Sequence, residues 1–241
     1  MKKLLIVLLF IVSSCQCQQV LNCEHHKGKN VNVVYGYLYN WYAAGGIGDT
    51  AIYSTGWTVP TKTQIETLQT YLGGSTQAAI KTIEIGVVYF TINGGSDNSA
   101  KFNARGSGYR SSLFYDYKST SWIHTTTAYD ATDYVFLSIQ GSSLIFIVSG
   151  HGGKLIGAAV RLIKTTTSLT NGQAGTYTGN DGRIYRTICI GTQEWLADNL
   201  CETKYANGTL IPVVTGNAAW AALVTGARCA YDNTETNALI P

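Results

Sequence analysis

Four histidines are the first candidates for chemistry in this chain: His25, His26, His124 and His151. None falls in a His-Glu-x-x-His helix, none accompanies a Gly-x-Ser-x-Gly nucleophile turn, and no phosphate-cradling Gly-rich loop occurs. Six cysteines are the second possibility. No pair has the two to four intervening residues of a zinc site, so neither a metal nor a cofactor is expected. Glu194 and Asp198 are four apart, but Trp195 and Asn199 beside them read as strand-and-loop packing. Paired-carboxylate catalysis needs a facing geometry that this spacing does not provide. No enzymatic activity is expected.

Binding is better represented. Tyr109, Phe114, Tyr115, Tyr117, Trp122, Tyr129 and Tyr134 lie among Gly, Ser, Thr and Asp, flat amphipathic anchors beside adaptable hydrogen-bonding groups, as in antibody combining sites. Sugar rings stack on such aromatics. The candidate ligand-binding residues are Tyr115, Tyr117, Trp122, His124, Tyr129 and Asp130, although a histidine such as His124 is more commonly structural.

The elements that must position these residues belong to a β-rich exported protein. Of 241 residues only 13% are charged, with 26 Gly and 16 Tyr, which argues against a charged helical or disordered chain. The formal charge is +3; without Lys2 and Lys3, 15 basic residues face 14 acidic ones, too even a balance for nucleic-acid binding. Lys2-Lys3 followed by Leu4 to Val12 reads as a signal peptide over 1–17. Two processing routes stay open. Val12-Ser13-Ser14-Cys15 resembles a bacterial lipobox that would lipidate Cys15 and give the only membrane attachment expected. Cleavage after Cys17 would instead leave an even set, Cys23, Cys189, Cys201 and Cys229.

Residues 18–34 are polar and aperiodic, and read as a linker. Tyr35 to Tyr42 alternates aromatic residues as a strand would. Thr63 and Glu66 have capping-box spacing, Ile65, Leu68 and Leu72 share a helical face, and Gly73-Gly74 ends that helix. Long loops are expected over 86–120. Tyr134–Ile139 and Leu144–Val148 read as a hairpin apolar on both faces, buried on both sides or meeting a partner. Ala159–Ile163 is the next strand, 165–175 a joint, Gly179–Gly182 a tight turn before the strand Arg183–Ile190, and Asn217 caps a helix to Val224.

In order along the chain, YGYLYNWY (35–42), TGWTVP (55–60), Gly108-Tyr109-Arg110, Val160-Arg161-Leu162, Asp181-Gly182-Arg183-Ile184-Tyr185 and the run Ile190–Leu200 resemble the Fibrobacter succinogenes major paralogous domain, found in surface and secreted proteins of Bacteroidota and relatives and in their phages. The resemblance implies an α+β, C-type lectin-like fold with small twisted antiparallel sheets, two short helices and a long-loop face. It also assigns Tyr35, Trp41, Trp57, Tyr109, Trp195 and Trp220 to packing. Trp122–Thr127 departs from the family pattern, and lectin-type calcium signatures are missing. The blocks 35–164 and 176–241 stand in swapped order, which implies either one circularly permuted domain over 35–241 or half-domains that complete neighbouring subunits. A permuted domain would bring Cys23 near Cys229 at its seam, with Cys189 and Cys201 as a second disulfide. The expected function is recognition of a surface glycan or protein receptor at the bacterial surface or outside the cell. The alternative is a structural component of a phage particle or appendage, assembling as a homo-oligomer or larger array.

Overall fold

The computed structural model describes residues 32–45, 50–86, 88–92, 94–164 and 166–240. In chain order its strands are β1 (Asn32–Val33), β2 (Leu38–Tyr39), β3 (Ser107–Arg110), β4 (Phe114–Tyr117), β5 (Thr120–Ala128), β6 (Asp133–Gln140), β7 (Ile145–Gly153), β8 (Ile163–Lys164), β9 (Ala174–Thr178), β10 (Ile184–Ile190), β11 (Gln193–Leu196), β12 (Arg228–Cys229) and β13 (Leu239–Ile240). The helices are α1 (Trp41–Ala44), α2 (Lys62–Leu72), α3 (Ser75–Thr82), α4 (Asn217–Ala221) and α5 (Glu235–Ala238). The architecture is mixed α+β, mostly small sheets, with five short α-helices where two were expected. Among the described residues no helix is long and apolar enough to cross a membrane.

The apolar runs Tyr134–Ile139 and Leu144–Val148 form the expected antiparallel hairpin within β6–β7, inside a five-stranded sheet of order β4-β3-β5-β6-β7. One face of that sheet sends Ile123, Leu137, Ile139 and Phe146 into a core shared with Ile65, Leu68 and Leu72 of α2. Full burial of each such aliphatic side chain stabilises the fold by roughly 1.5–3 kcal/mol. On the other face of β6, Tyr134 and Phe136 are buried too. Both faces of the hairpin's inner strand are thus covered by its own chain.

Local chemistry moves several boundaries. The capping box of α2 is Thr61 with Gln64, two residues before the expected Thr63–Glu66 pair. Thr61 Oγ1 accepts from Gln64 N at 3.2 Å and Gln64 Oε1 accepts from Thr61 N at 2.8 Å, while Glu66 pairs with Lys62 one turn away. Gly73 ends the helix at φ 100°, yet Gly74 starts α3 at once. The aromatic run is strand only at Leu38–Tyr39. Asn40 then accepts from Ala43 N at 3.1 Å and turns Trp41 and Tyr42 into a helix. Asn217 does not cap α4, whose N-cap is Gly216; its Oδ1 accepts from Arg110 Nη2 at 3.1 Å. The strand expected over Ala159–Ile163 is reduced to β8 and isolated bridges.

The expected joint, 165–175, is also tied down. Glu194 accepts Thr167 Oγ1 at 2.6 Å and Thr187 Oγ1 at 2.7 Å, and β9 begins within the joint and pairs with β10. Nor does the polar linker run to 34, because Asn32 and Val33 pair with Ile240 and Leu239. Residues 176–240 pack on 35–164 of the same chain through β11–β8 and β12–β2 pairing. Arginines fasten the contact. Buried Arg161 donates to Asn199 Oδ1 (2.6 Å) and to the carbonyls of Phe102 (2.6 Å), Leu196 (2.9 Å) and Asn103 (2.7 Å). Arg110 donates to the carbonyls of Val214 and Thr215, each at 2.7 Å. Asp198 is buried, which works to raise its carboxyl, but hydrogen bonds and charge from Arg186, with Arg105 and Arg161, hold it below the usual range.

The expected disulfide between Cys189 and Cys201 is not formed. Cys189, Cys201 and Cys229 are all buried free thiols. Cys189 points to the Leu169 carbonyl at 3.4 Å, whereas Cys201 points into a different core, toward the Ala238 carbonyl at 3.6 Å. Cys23 and Cys15 lie outside the described residues, as do the signal peptide and most of the linker. Burial pushes the thiols up, to about 12 at Cys201 and about 11 at Cys229, and so suppresses the reactive thiolate. Alkylation mapped by mass spectrometry is therefore expected to modify these three cysteines only after denaturation. Rapid labelling of any of them in the native protein would contradict the burial.

The tight turn at 179–182 shows why one glycine is needed there. A Cβ on Gly179 would overlap the carboxyl of Glu202, a group fixed by Tyr185 OH at 2.9 Å and Asp181 N at 3.0 Å. Gly179→Ala is expected to destabilise by about 1–3 kcal/mol through overpacking. A thermal melt unchanged within 1 °C would refute that crowding.

Candidate ligand-binding site

The six candidate residues are split among four places. The first is a row of stacked rings across the outer face of the five-stranded sheet. Tyr115 on β4 stacks on Tyr109 at 5.3 Å, Tyr109 on Trp122 of β5 at 4.1 Å, and Trp122 on Phe136 of β6 at 3.9 Å. Cross-strand stacking adds about 0.5–1.5 kcal/mol per pair beyond burial. It also uses up the ring faces: Tyr109 and Phe136 come from the strands flanking β5, so both faces of Trp122 are covered. The row explains Gly150 on β7, where a Cβ would come within 2.7 Å of Phe136. Trp122 is corrected from ligand anchor to packing, while Tyr115, at the end of the row, keeps 38% of its surface exposed.

His124 lies two residues further along β5 and is fully buried. Its Nε2 donates to the Tyr39 carbonyl at 2.7 Å and its ring stacks on Tyr134 at 4.7 Å. Burial outweighs the hydrogen bond and lowers its pKa to about 4, so it is neutral at physiological pH. A neutral ring sealed in the interior meets no external ligand, and His124 is a structural residue.

Tyr117 belongs to the contact between the two parts of the chain. Its ring stacks on Tyr231 at 4.5 Å and its hydroxyl donates to Asn237 Oδ1 at 3.1 Å. Both partners come from the C-terminal stretch, so Tyr117 is also a packing residue.

Tyr129 and Asp130 remain together, at the exposed tip of the β5–β6 hairpin. Asp130 Oδ1 accepts from Thr132 N at 2.7 Å, Thr132 Oγ1 at 2.9 Å and Asp133 N at 2.7 Å. These bonds, from Asp133 first and then Thr132, hold its carboxyl below the usual range and shape the turn. Tyr129 is 58% exposed, yet its ring lies flat on His151, 3.9 Å away with planes 2° apart. His151 is held by Asp133 Oδ2 at 3.0 Å. Lys154 donates to the Ala131 carbonyl at 2.7 Å and sits over the Trp41 ring at 4.7 Å. Tyr42, beside Trp41, is also exposed.

This patch is an aromatic surface held from beneath: one ring of Tyr129 backed by imidazole, with a carboxylate, an ammonium and hydroxyls around it. Among the described residues no group of three or more His, Cys, Asp or Glu is placed to hold a metal. Trp41, His151, Asp133 and Lys154 were not among the expected site residues. His151 and Lys154 sit in a glycine-rich stretch without a motif, and only the pairing of Val135 with His151 brings the histidine beside the hairpin tip. No protein-family model, curated protein or solved structure matches this chain.

Proposed function

We propose that this chain is an exported, non-enzymatic binding protein that recognises a surface glycan through the Tyr129 patch. The observation that carries the reading is the ring of Tyr129, largely exposed on one side and fixed on the other by His151. A preorganised aromatic plane offers stacking area without paying ordering entropy on binding, and the axial C–H faces of a sugar ring suit it. Asp130, Asp133 and Lys154 supply the directional polar groups around the plane. The signal-like N-terminus and the resemblance to the Fibrobacter succinogenes major paralogous domain support placement at a bacterial surface. A circularly permuted C-type lectin-like domain is the finer fold assignment, supported by the packing of 176–240 onto 35–164 within one chain.

A glycan array probed with residues 18–241 tests the reading. Specific binding is expected, with Tyr129→Ala weakening it at least tenfold while leaving the thermal midpoint within about 2 °C, because the side chain is exposed. Full binding by Tyr129→Ala, or binding to no glycan but to a protein receptor, would overturn it.

A further inference from the structure

Of the six expected site residues, Tyr115 is still without a role: it is exposed, yet it lies outside the Tyr129 patch. It stands directly opposite Tyr109 in the β3–β4 pairing, and β4 is the outermost strand of its sheet. One face of the ring lies on Tyr109, with planes 22° apart, and the opposite face looks past the edge of the sheet. The ring is also held in place. Behind it the row runs through Trp122 to Phe136, which is wedged against Gly150. Beneath it Gly108, at φ 61°, lets β3 and β4 approach so closely that a Cβ there would lie 2.3 Å from the Tyr115 carbonyl oxygen.

Polar groups rim this plane. Asp116 is exposed. Burial and then the charge of Asp116 raise the Tyr109 hydroxyl above its usual range, which places the carboxylate at the outer end of the row. Neither that carboxylate nor the hydroxyls of Tyr109 and Tyr115 hydrogen-bond within the described residues. The Tyr129 patch has the same plan. Tyr115-Asp116 and Tyr129-Asp130 are the same dipeptide, each with its tyrosine backed by a stacked ring, Tyr109 or His151, and its aspartate alongside. A third such dipeptide, Tyr231-Asp232, spends its ring on Tyr117 and Phe114 in the contact between the two parts of the chain.

A ring already fixed in position stacks on the C–H face of a sugar without an ordering cost, and the phenols and carboxylate at its rim match the hydroxyls that surround that face. An apolar protein partner would leave the carboxylate covered and unpaired, whereas a sugar hydroxyl donates to it. We infer that Tyr115 is the plane of a second sugar-binding site, flanked by Tyr109 and Asp116. The inference rests on the glycan reading of the Tyr129 patch. Trp122, within the row, and Ala128, next to Tyr129, lie six residues apart on β5, roughly 20 Å at about 3.3 Å per residue. One monosaccharide cannot bridge that span, so the two planes act independently on small sugars, while a long glycan that reaches both gains avidity.

The test is a titration of residues 18–241 with the methyl glycosides of glucose, galactose, mannose and N-acetylglucosamine, against glycerol, read by the ring resonances of Tyr115 and Tyr129. At least one glycoside is expected to shift the Tyr115 ring saturably, with glycerol inert, and to do so equally in Tyr129→Ala. Asp116→Asn is expected to weaken that binding by about threefold or more; asparagine tolerates the positive φ of 58° at that position. Shifts at Tyr129 alone would overturn the second site and leave the first standing, and shifts at neither ring would overturn both. Equal binding by Asp116→Asn would overturn the site as drawn. A Tyr115 resonance that moves on dilution of the protein without sugar would place a second copy of the chain on that face and overturn the sugar assignment.

Discussion

Arg161→Met is expected to lower the stability of the folded chain by about 3–5 kcal/mol, the largest effect of any single substitution considered. Methionine nearly fills the volume, so the loss is one of partners. The carbonyls of Phe102, Asn103 and Leu196 and the amide oxygen of Asn199 would all lose their donor at once. Two of these acceptors are in the first half of the chain and two in the second. Burial pulls the guanidinium down to about 9, still charged at neutral pH, and the charge strengthens each bond. Arg161→Lys is expected to recover little, since an ammonium cannot reach four acceptors in one plane. Urea denaturation measures the difference. A loss below 1 kcal/mol would mean that the halves are held by strand pairing alone.

The second large effect concerns pH. Burial is the main cause that raises the Glu202 carboxyl from 4.5 to about 7. Its folded form therefore holds a proton that the unfolded form releases, and the stability it contributes is complete below 4.5 and lost as pH rises through 7. At about 1.4 kcal/mol per unit the loss is about 3 kcal/mol. His124 acts in the opposite sense. Its pKa is lowered from 6.5 to about 4, so its contribution is present above 6.5 and lost as pH falls toward 4. Between about 4.5 and 6.5 the two slopes nearly cancel, and the wild-type stability profile is expected to be flat there. Glu202→Gln removes one slope: stability should then rise with pH over that interval and exceed wild type at pH 8. Superimposable profiles for variant and wild type would show that Glu202 titrates normally.

The legible parts of the fold were those with a strong local period. The β6–β7 hairpin follows from two β-branched and aromatic runs around a polar turn, and the buried face of α2 from Ile65, Leu68 and Leu72. Where one cap or glycine decides, the local pattern is not enough: Gly73 ends α2 while Gly74 starts α3 at once, and Asn40 converts a strand-like aromatic run into a turn of helix. The site was less legible because exposure is decided by neighbours far away in sequence. Trp122 loses its faces to Tyr109 and Phe136, His124 is sealed beneath Tyr39, and Tyr117 is taken by Tyr231 and Asn237. Tyr129 and Asp130, in a turn closed by its own residues, kept the exposure that their composition suggested, as did Tyr115 at the end of the ring row.

The two-residue ribbon of β1 with β13 sets Asn32 opposite Ile240, so the first and last described residues lie side by side. A pull on both ends would load that ribbon in peeling geometry, one bond pair at a time, and open it at low force while the sheets behind it bear no tension. Spliced into a longer polypeptide, the domain would add almost no contour length, and the rest of it would project sideways like a bead hung from a single knot.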